Sequence, residues 1–90
     1  MDIMSDMHEY KCRKIVKATK IEAMENCIDF GYYFNKIKII PEDKSIEPII
    51  ISKEWLWRCQ ATPGGYYVND HGFETYISEK EFERDYEMAN

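Results

Sequence analysis

His8, Cys12, Cys27, Cys59 and His71 carry the strongest metal-ligating side chains in the chain. Zinc sites are usually announced by C-x-x-C or H-x₃-H spacing, because one turn then delivers two ligands to one ion. None of the five has such a spacing, so no metal site is expected. Asp70-His71 is formally an acid–base pair, since a carboxylate can orient an imidazole for proton transfer. No Ser or Cys nucleophile stands beside it, and a turn-forming Asp next to an exposed His explains the pair without chemistry. Gly64-Gly65 lacks the G-x-x-x-x-G-K pattern of a phosphate loop and opens no helix. No catalytic residue is assigned, and neither an enzyme nor a cofactor is expected.

Trp55, Trp57 and Arg58 form a compact aromatic–cation group. Trp and Arg are the residues that most often anchor interfaces. The plainer reading puts one Trp in the core and the other over its edge. Aromatics with Lys also describe single-strand nucleic-acid surfaces. The net charge of −5 and the lack of a recognition motif argue against direct nucleic-acid binding. The expected binding residues are Trp57, Arg58, Tyr66 and Tyr67, with Tyr33 or Tyr32 nearby. Strand alternation turns Tyr67 away from Val68, so Tyr67 is expected to be the more exposed of the adjacent tyrosines. Such a cluster can stack on a nucleobase or anchor a protein; equally, these rings can finish the core.

The elements that must position these residues are clearest near the C-terminus. Tyr66-Tyr67-Val68 and Phe73 to Ile77 are good strand formers. Asn69-Asp70-His71-Gly72 is a turn-compatible link, with Gly last where a positive φ is cheapest. A four-residue loop sets Val68 opposite Phe73, Tyr67 opposite Glu74 and Tyr66 opposite Thr75. Gly64-Gly65 implies a sharp bend or a close backbone approach. Ser78 and Glu81 make an S-x-x-E capping box, with Ile77 and Phe82 as its hydrophobic staple. Phe82 and Tyr86 then share one helix face, which must dock on the sheet because so short a helix is unstable alone.

Upstream, Tyr10 to Ile21 reads as a strand, although a helical stripe through Cys12, Ile15, Val16, Thr19 and Ala23 is the competing pattern. Glu22 to Asn26 is expected to be a helical turn or loop. Gly31 to Phe34 is aromatic and suits a short strand or part of a binding surface. Lys36 to Ile40 and Glu47 to Ile51 read as an antiparallel pair, with Ile49-Ile50-Ile51 a buried-strand signature. Ser52 then caps a helical turn containing both Trp residues. The sum is a small α+β domain: a curled antiparallel sheet or partial barrel with a short C-terminal helix packed on it.

Ninety residues make one domain with a modest core. Residues 1–9 are expected to be disordered and 10–90 folded, with Met7 a second candidate start. The seven Tyr exceed what such a core can satisfy, so several are expected at the surface. A marginal core with many aromatics favours a homo-oligomer, most simply a dimer. No apolar run approaches a membrane span, and no signal peptide opens the chain. Three widely spaced Cys argue against a disulfide framework and for a reducing cytoplasm. Charge is lopsided. Residues 11–20 carry Lys11, Arg13, Lys14, Lys17 and Lys20 without an acid, whereas residues 70–87 carry seven acids against Lys80 and Arg84. The two segments either neutralise each other, face solvent, or make a two-faced surface for a charged partner.

Two signatures carry a resemblance. Tyr10, Cys12, Lys14, Val16, Ala18, Lys20 and Ile21 form the first. Pro63-Gly64-Gly65-Tyr66-Tyr67-Val68, Asp70, Gly72, Phe73, Phe82, Glu83 and Tyr86 form the second and more specific one. Together they span the first and last thirds of the chain, which resembles small uncharacterised accessory proteins of tailed bacteriophages. Asn69-Asp70-His71 departs from that pattern, which has a further strand aromatic and a simpler turn there. The resemblance implies phage origin, expression in the host bacterial cytoplasm and a non-virion accessory role. It supplies no catalytic residues. The expectation is a binding protein that inhibits a host antiviral-defence component stoichiometrically. The alternative is a sponge that sequesters a nucleotide second messenger between subunits.

Overall fold

The computed structural model describes residues 7–11, 15–27 and 35–88. The chain runs β1 (His8–Lys11), β2 (Ile15–Asn26), β3 (Lys36–Pro41), β4 (Ile49–Ser52), α1 (Lys53–Cys59), β5 (Tyr66–Asp70), β6 (Phe73–Ile77), α2 (Glu79–Asp85) and β7 (Glu87–Met88). It is an α+β fold, a curled antiparallel half-barrel with a short C-terminal helix. Tyr10–Lys11 and Ile15–Ile21 are extended, as expected, but on two antiparallel strands, with Lys11 paired to Ile15 and His8 to Ala18; Cys12–Lys14 lie outside the described residues. Met7 is buried and β1 begins at His8, so the folded region starts before Tyr10. Residues 1–6, and the aromatic Gly31–Phe34, lie outside the described residues.

β2 organises the sheet. Its first half lies between β1 and β5, and its second half pairs with β3, which pairs with β4. Glu22–Asn26, expected as a helical turn or loop, is the continuation of this strand. Tertiary pairing with Ile37–Ile40 overrides the weak local preference. The change of partner occurs at a bulge between Ile21 and Ala23. There the Gly64-Gly65 segment closes on β2: Ile21 N–H donates to the Gly65 carbonyl and Gly64 N–H to the Ile21 carbonyl, both at 2.8 Å. Gly64 has a φ of 98°, and a Cβ on Gly65 would lie 2.1 Å from the Tyr76 hydroxyl. Both expected roles, bend and close approach, are present.

The β3–β4 pair has Ile37 opposite Ile51 and Ile39 opposite Ile49. Ile49 and Ile51 are buried, but Ile50 is exposed, so β4 alternates rather than being buried on both faces. Ser52 Oγ accepts from Trp55 N–H at 3.3 Å and starts α1, as its sequence implies. α1 follows β4 directly and also packs against β6.

The β5–β6 hairpin is tighter than expected. Asp70 pairs with Phe73, Asn69 with Glu74 and Val68 with Thr75, leaving His71-Gly72 as the loop. Both loop residues have positive φ, 53° and 97°, which matches the twist of a two-residue hairpin. Asn69 Oδ1 accepts from Gly72 N–H at 2.8 Å and holds the turn. The expected Val68–Phe73 pair is therefore not formed.

Two cores result. Inside the curl, Met7, Ile21, Ile37, Ile39, Ile46, Ile49, Ile51, Trp55, Ala61 and Tyr67 pack together. On the outer face, Val16, Ala18, Tyr66 and Val68 are covered by Phe82 of α2. β5 serves both, with Tyr66 and Val68 outward and Tyr67 inward. The cap on α2 is as expected: Ser78 Oγ accepts from Glu81 N–H and donates to its carboxylate. Phe82 lies stacked between Tyr66 and Tyr86, with ring centroids 3.9 and 4.7 Å away. Lys20 Nζ sits 2.5 Å from Glu79 and 3.7 Å from Glu83, so part of the basic segment does neutralise the acidic one. No helix among the described residues is long and apolar enough to cross a membrane.

Candidate functional site

Of the five residues expected to form one site, the four that are described do not share a surface. Trp57 is 66% exposed and Arg58 is also exposed, on the outward side of α1. Tyr66 and Tyr67 are buried, at 8% and 0% exposure. The expectation that Tyr67 is the more exposed tyrosine is reversed. Alternation was read correctly, but both faces of β5 are covered, one by α2 and the other by the inner core. Tyr33 and Tyr32 lie outside the described residues. Of the remaining tyrosines with described side chains, Tyr76 and Tyr86 are half-buried, so these four do not supply the expected tyrosine surface.

Trp57 and Arg58 are held on a firm base. Trp55, two residues earlier on α1, is buried in the inner core with its ring centroid 5.8 Å from that of Tyr67. Its Nε1–H has no hydrogen-bond partner among the described residues. The Trp pair is thus divided: Trp55 anchors the helix and Trp57 faces out. A large aromatic beside a guanidinium offers apolar area, stacking and charge-assisted hydrogen bonds at one place.

The concave face supplies a second site that the spacing of residues in the chain conceals. Glu9 pairs with Lys17, Lys17 with Asn69, and Asn69 with Glu74. A polar row therefore crosses four adjacent strands. Alternation puts Lys17 and Asn69 on the same side of the sheet as Ile21 and Tyr67, at the open end of the inner core. Glu9, Ile15, Lys17, Asn69, His71 and Glu74 line an open cleft of about 600 Å³ there. Such a volume is in the range of small-ligand sites, which favour the mouths of barrels.

Tyr67 connects the cleft to the core. Its ring is fully buried, and its hydroxyl donates to Glu74 Oε2. Burial, and then this bond, push the phenol well above its ordinary range, with Asn69 opposing. Asn69 is only 9% exposed. His71 accompanies Asp70, with Nδ1 2.9 Å from its carboxylate at the exposed turn. That contact lies at the hairpin turn. Among the described residues, no group of three or more His, Cys, Asp or Glu is placed to hold a metal ion. Cys27 and Cys59 are free thiols, and Cys12 lies outside the described residues. No protein-family model, curated protein or solved structure gives a match to this chain.

Proposed function

We propose that the chain is a non-catalytic binding protein of the phage accessory kind, acting in the host bacterial cytoplasm. It inhibits a host antiviral-defence component by stoichiometric binding. The observation supporting this most is the outward Trp57–Arg58 pair on a helix anchored from its other side by Trp55. An exposed Trp and Arg on one anchored helix are the side-chain types that most often anchor interfaces. The alternative, a sponge for a nucleotide messenger between subunits, has Glu9 and Glu74 of the cleft against it as like charges to a phosphate.

Affinity capture from phage-infected cells tests both readings. Wild-type protein should retain one host protein in a fixed ratio. Trp57→Ala and Arg58→Glu should each lose it by tenfold or more, about 1.4 kcal/mol, with the melting temperature unchanged. Retention by both variants refutes the interface. A nucleotide recovered from the heat-released small-molecule fraction, without a protein partner, supports the sponge instead.

A further inference from the structure

The row Glu9–Lys17–Asn69–Glu74 plays no part in the Trp57–Arg58 platform, and its chemistry is specific enough to indicate a ligand. We propose that the cleft binds a small zwitterion with the chemistry of a free α-amino acid. Its ammonium group sits on Glu74 and its carboxylate on Lys17.

Glu74 carries the argument. It belongs to β6, which pairs only with β5 among the described strands. An edge-strand glutamate can usually satisfy its carboxylate in water. Here the fully buried Tyr67 hydroxyl donates to Oε2, which fixes the carboxylate over the core while Glu74 still lines the cleft. Holding an acceptor in place before the ligand arrives lowers the cost of binding. Asn69 is likewise fixed, its Oδ1 committed to Gly72 N–H. Along the row this leaves two acceptors, Glu9 and Glu74, and one cation, Lys17, of which Glu74 is the acceptor held in place.

No hydrogen bond or ion pair among the described residues joins Lys17 to Glu9 or Glu74, although the three share one row. Lys17 and Glu74 stand two strand spacings apart, roughly 10 Å between backbones. Extended side chains narrow that gap to one that adjacent positive and negative groups can bridge. A bare cation would meet Lys17 without offering it an acceptor. A phosphate brings up to two negative charges to Glu9 and Glu74 with no cation of its own, whereas the zwitterion's carboxylate is balanced by its ammonium. Ile15, 48% exposed at the lip, offers apolar contact to the ligand's side chain. The cleft is larger than an amino acid, so weak discrimination among apolar side chains is expected.

The test is an amide-resonance titration of the full chain with leucine, using acetate, methylammonium and AMP as controls. Leucine should give saturable shifts at Lys17, Asn69, Gly72 and Glu74, and the controls should not. Glu74→Gln and Lys17→Met should each weaken binding at least about tenfold, the scale of one charge-assisted hydrogen bond. Tyr67→Phe keeps the ring but removes the positioning hydroxyl, and should weaken binding with the rest of the spectrum retained. Trp57→Ala should leave leucine binding unchanged, which separates this site from the protein-binding surface. If Glu74→Gln unfolds the chain, Lys17→Met decides alone. Unsaturated shifts, AMP binding in the cleft, equal response to acetate or methylammonium, or undiminished binding by Lys17→Met overturns the proposal.

Discussion

Tyr67 shows how a polar side chain can be placed inside an apolar core when its one donor has a partner. The ring packs near Trp55 and the hydroxyl reaches Glu74. This makes stability depend on alkaline pH. An unfolded phenol ionises near 10.0, whereas burial and the Glu74 bond keep the folded one protonated to higher pH. Above that value the unfolded state holds fewer protons than the folded state, so stability falls as pH rises. Denaturant melts from roughly pH 8 to 11 should show this decline, and Tyr67→Phe should flatten it. An equal decline in the variant would remove Tyr67 as its cause. Trp57 was legible in the sequence as an interface candidate because Trp and Arg most often anchor interfaces. Tyr67 was not. Its direction followed from alternation, but what covers each face of β5 depends on α2 and on β3, β4 and α1, which the local sequence does not place.

Among the elements, α2 was the most legible. Its cap, staple and aromatic face all lie within ten residues, so local chemistry decides them. The expected consequences are correspondingly direct. Ser78→Ala removes the oxygen that accepts from Glu81 N–H and should cost about 0.5–2 kcal/mol. Phe82→Ala empties the space between Tyr66 and Tyr86 and should cost roughly 3–5 kcal/mol. Urea melts measure both. An unchanged midpoint for Phe82→Ala would show that α2 contributes little to the fold. The β5–β6 loop was less legible, because Asn69 and Asp70 suit a turn as well as a strand end. The two-residue loop with His71 and Gly72 at positive φ prevails through the twist it gives the strands. The cleft row was invisible for a different reason. Glu9, Lys17, Asn69 and Glu74 lie far apart in the chain, and only the register of three strand pairings lines them up.

For the whole molecule, the homodimer remains a proposal, argued from exposed apolar side chains rather than from a surplus of tyrosines. Ile15, Ile50, Trp57 and Phe73 are exposed, and β4 and β6 each have a single strand partner among the described residues. Light scattering at micromolar concentration should give about twice the 10.8 kDa chain mass. A value equal to the chain mass would refute the dimer. The placement of β5 between two cores also bears on how the chain reaches its fold. β5 joins β2 through Lys17–Asn69 and Lys20–Tyr66, residues separated by roughly half the chain or more. Neither core can close before that distant contact forms, because Tyr67 fills one and Tyr66 with Val68 fills the other. Early loop closure is entropically costly and rewards the chain only once both faces pack, so folding should be slow for a domain of this size. The same shared strand denies either core an independent melting transition, which makes the two halves rise and fall together.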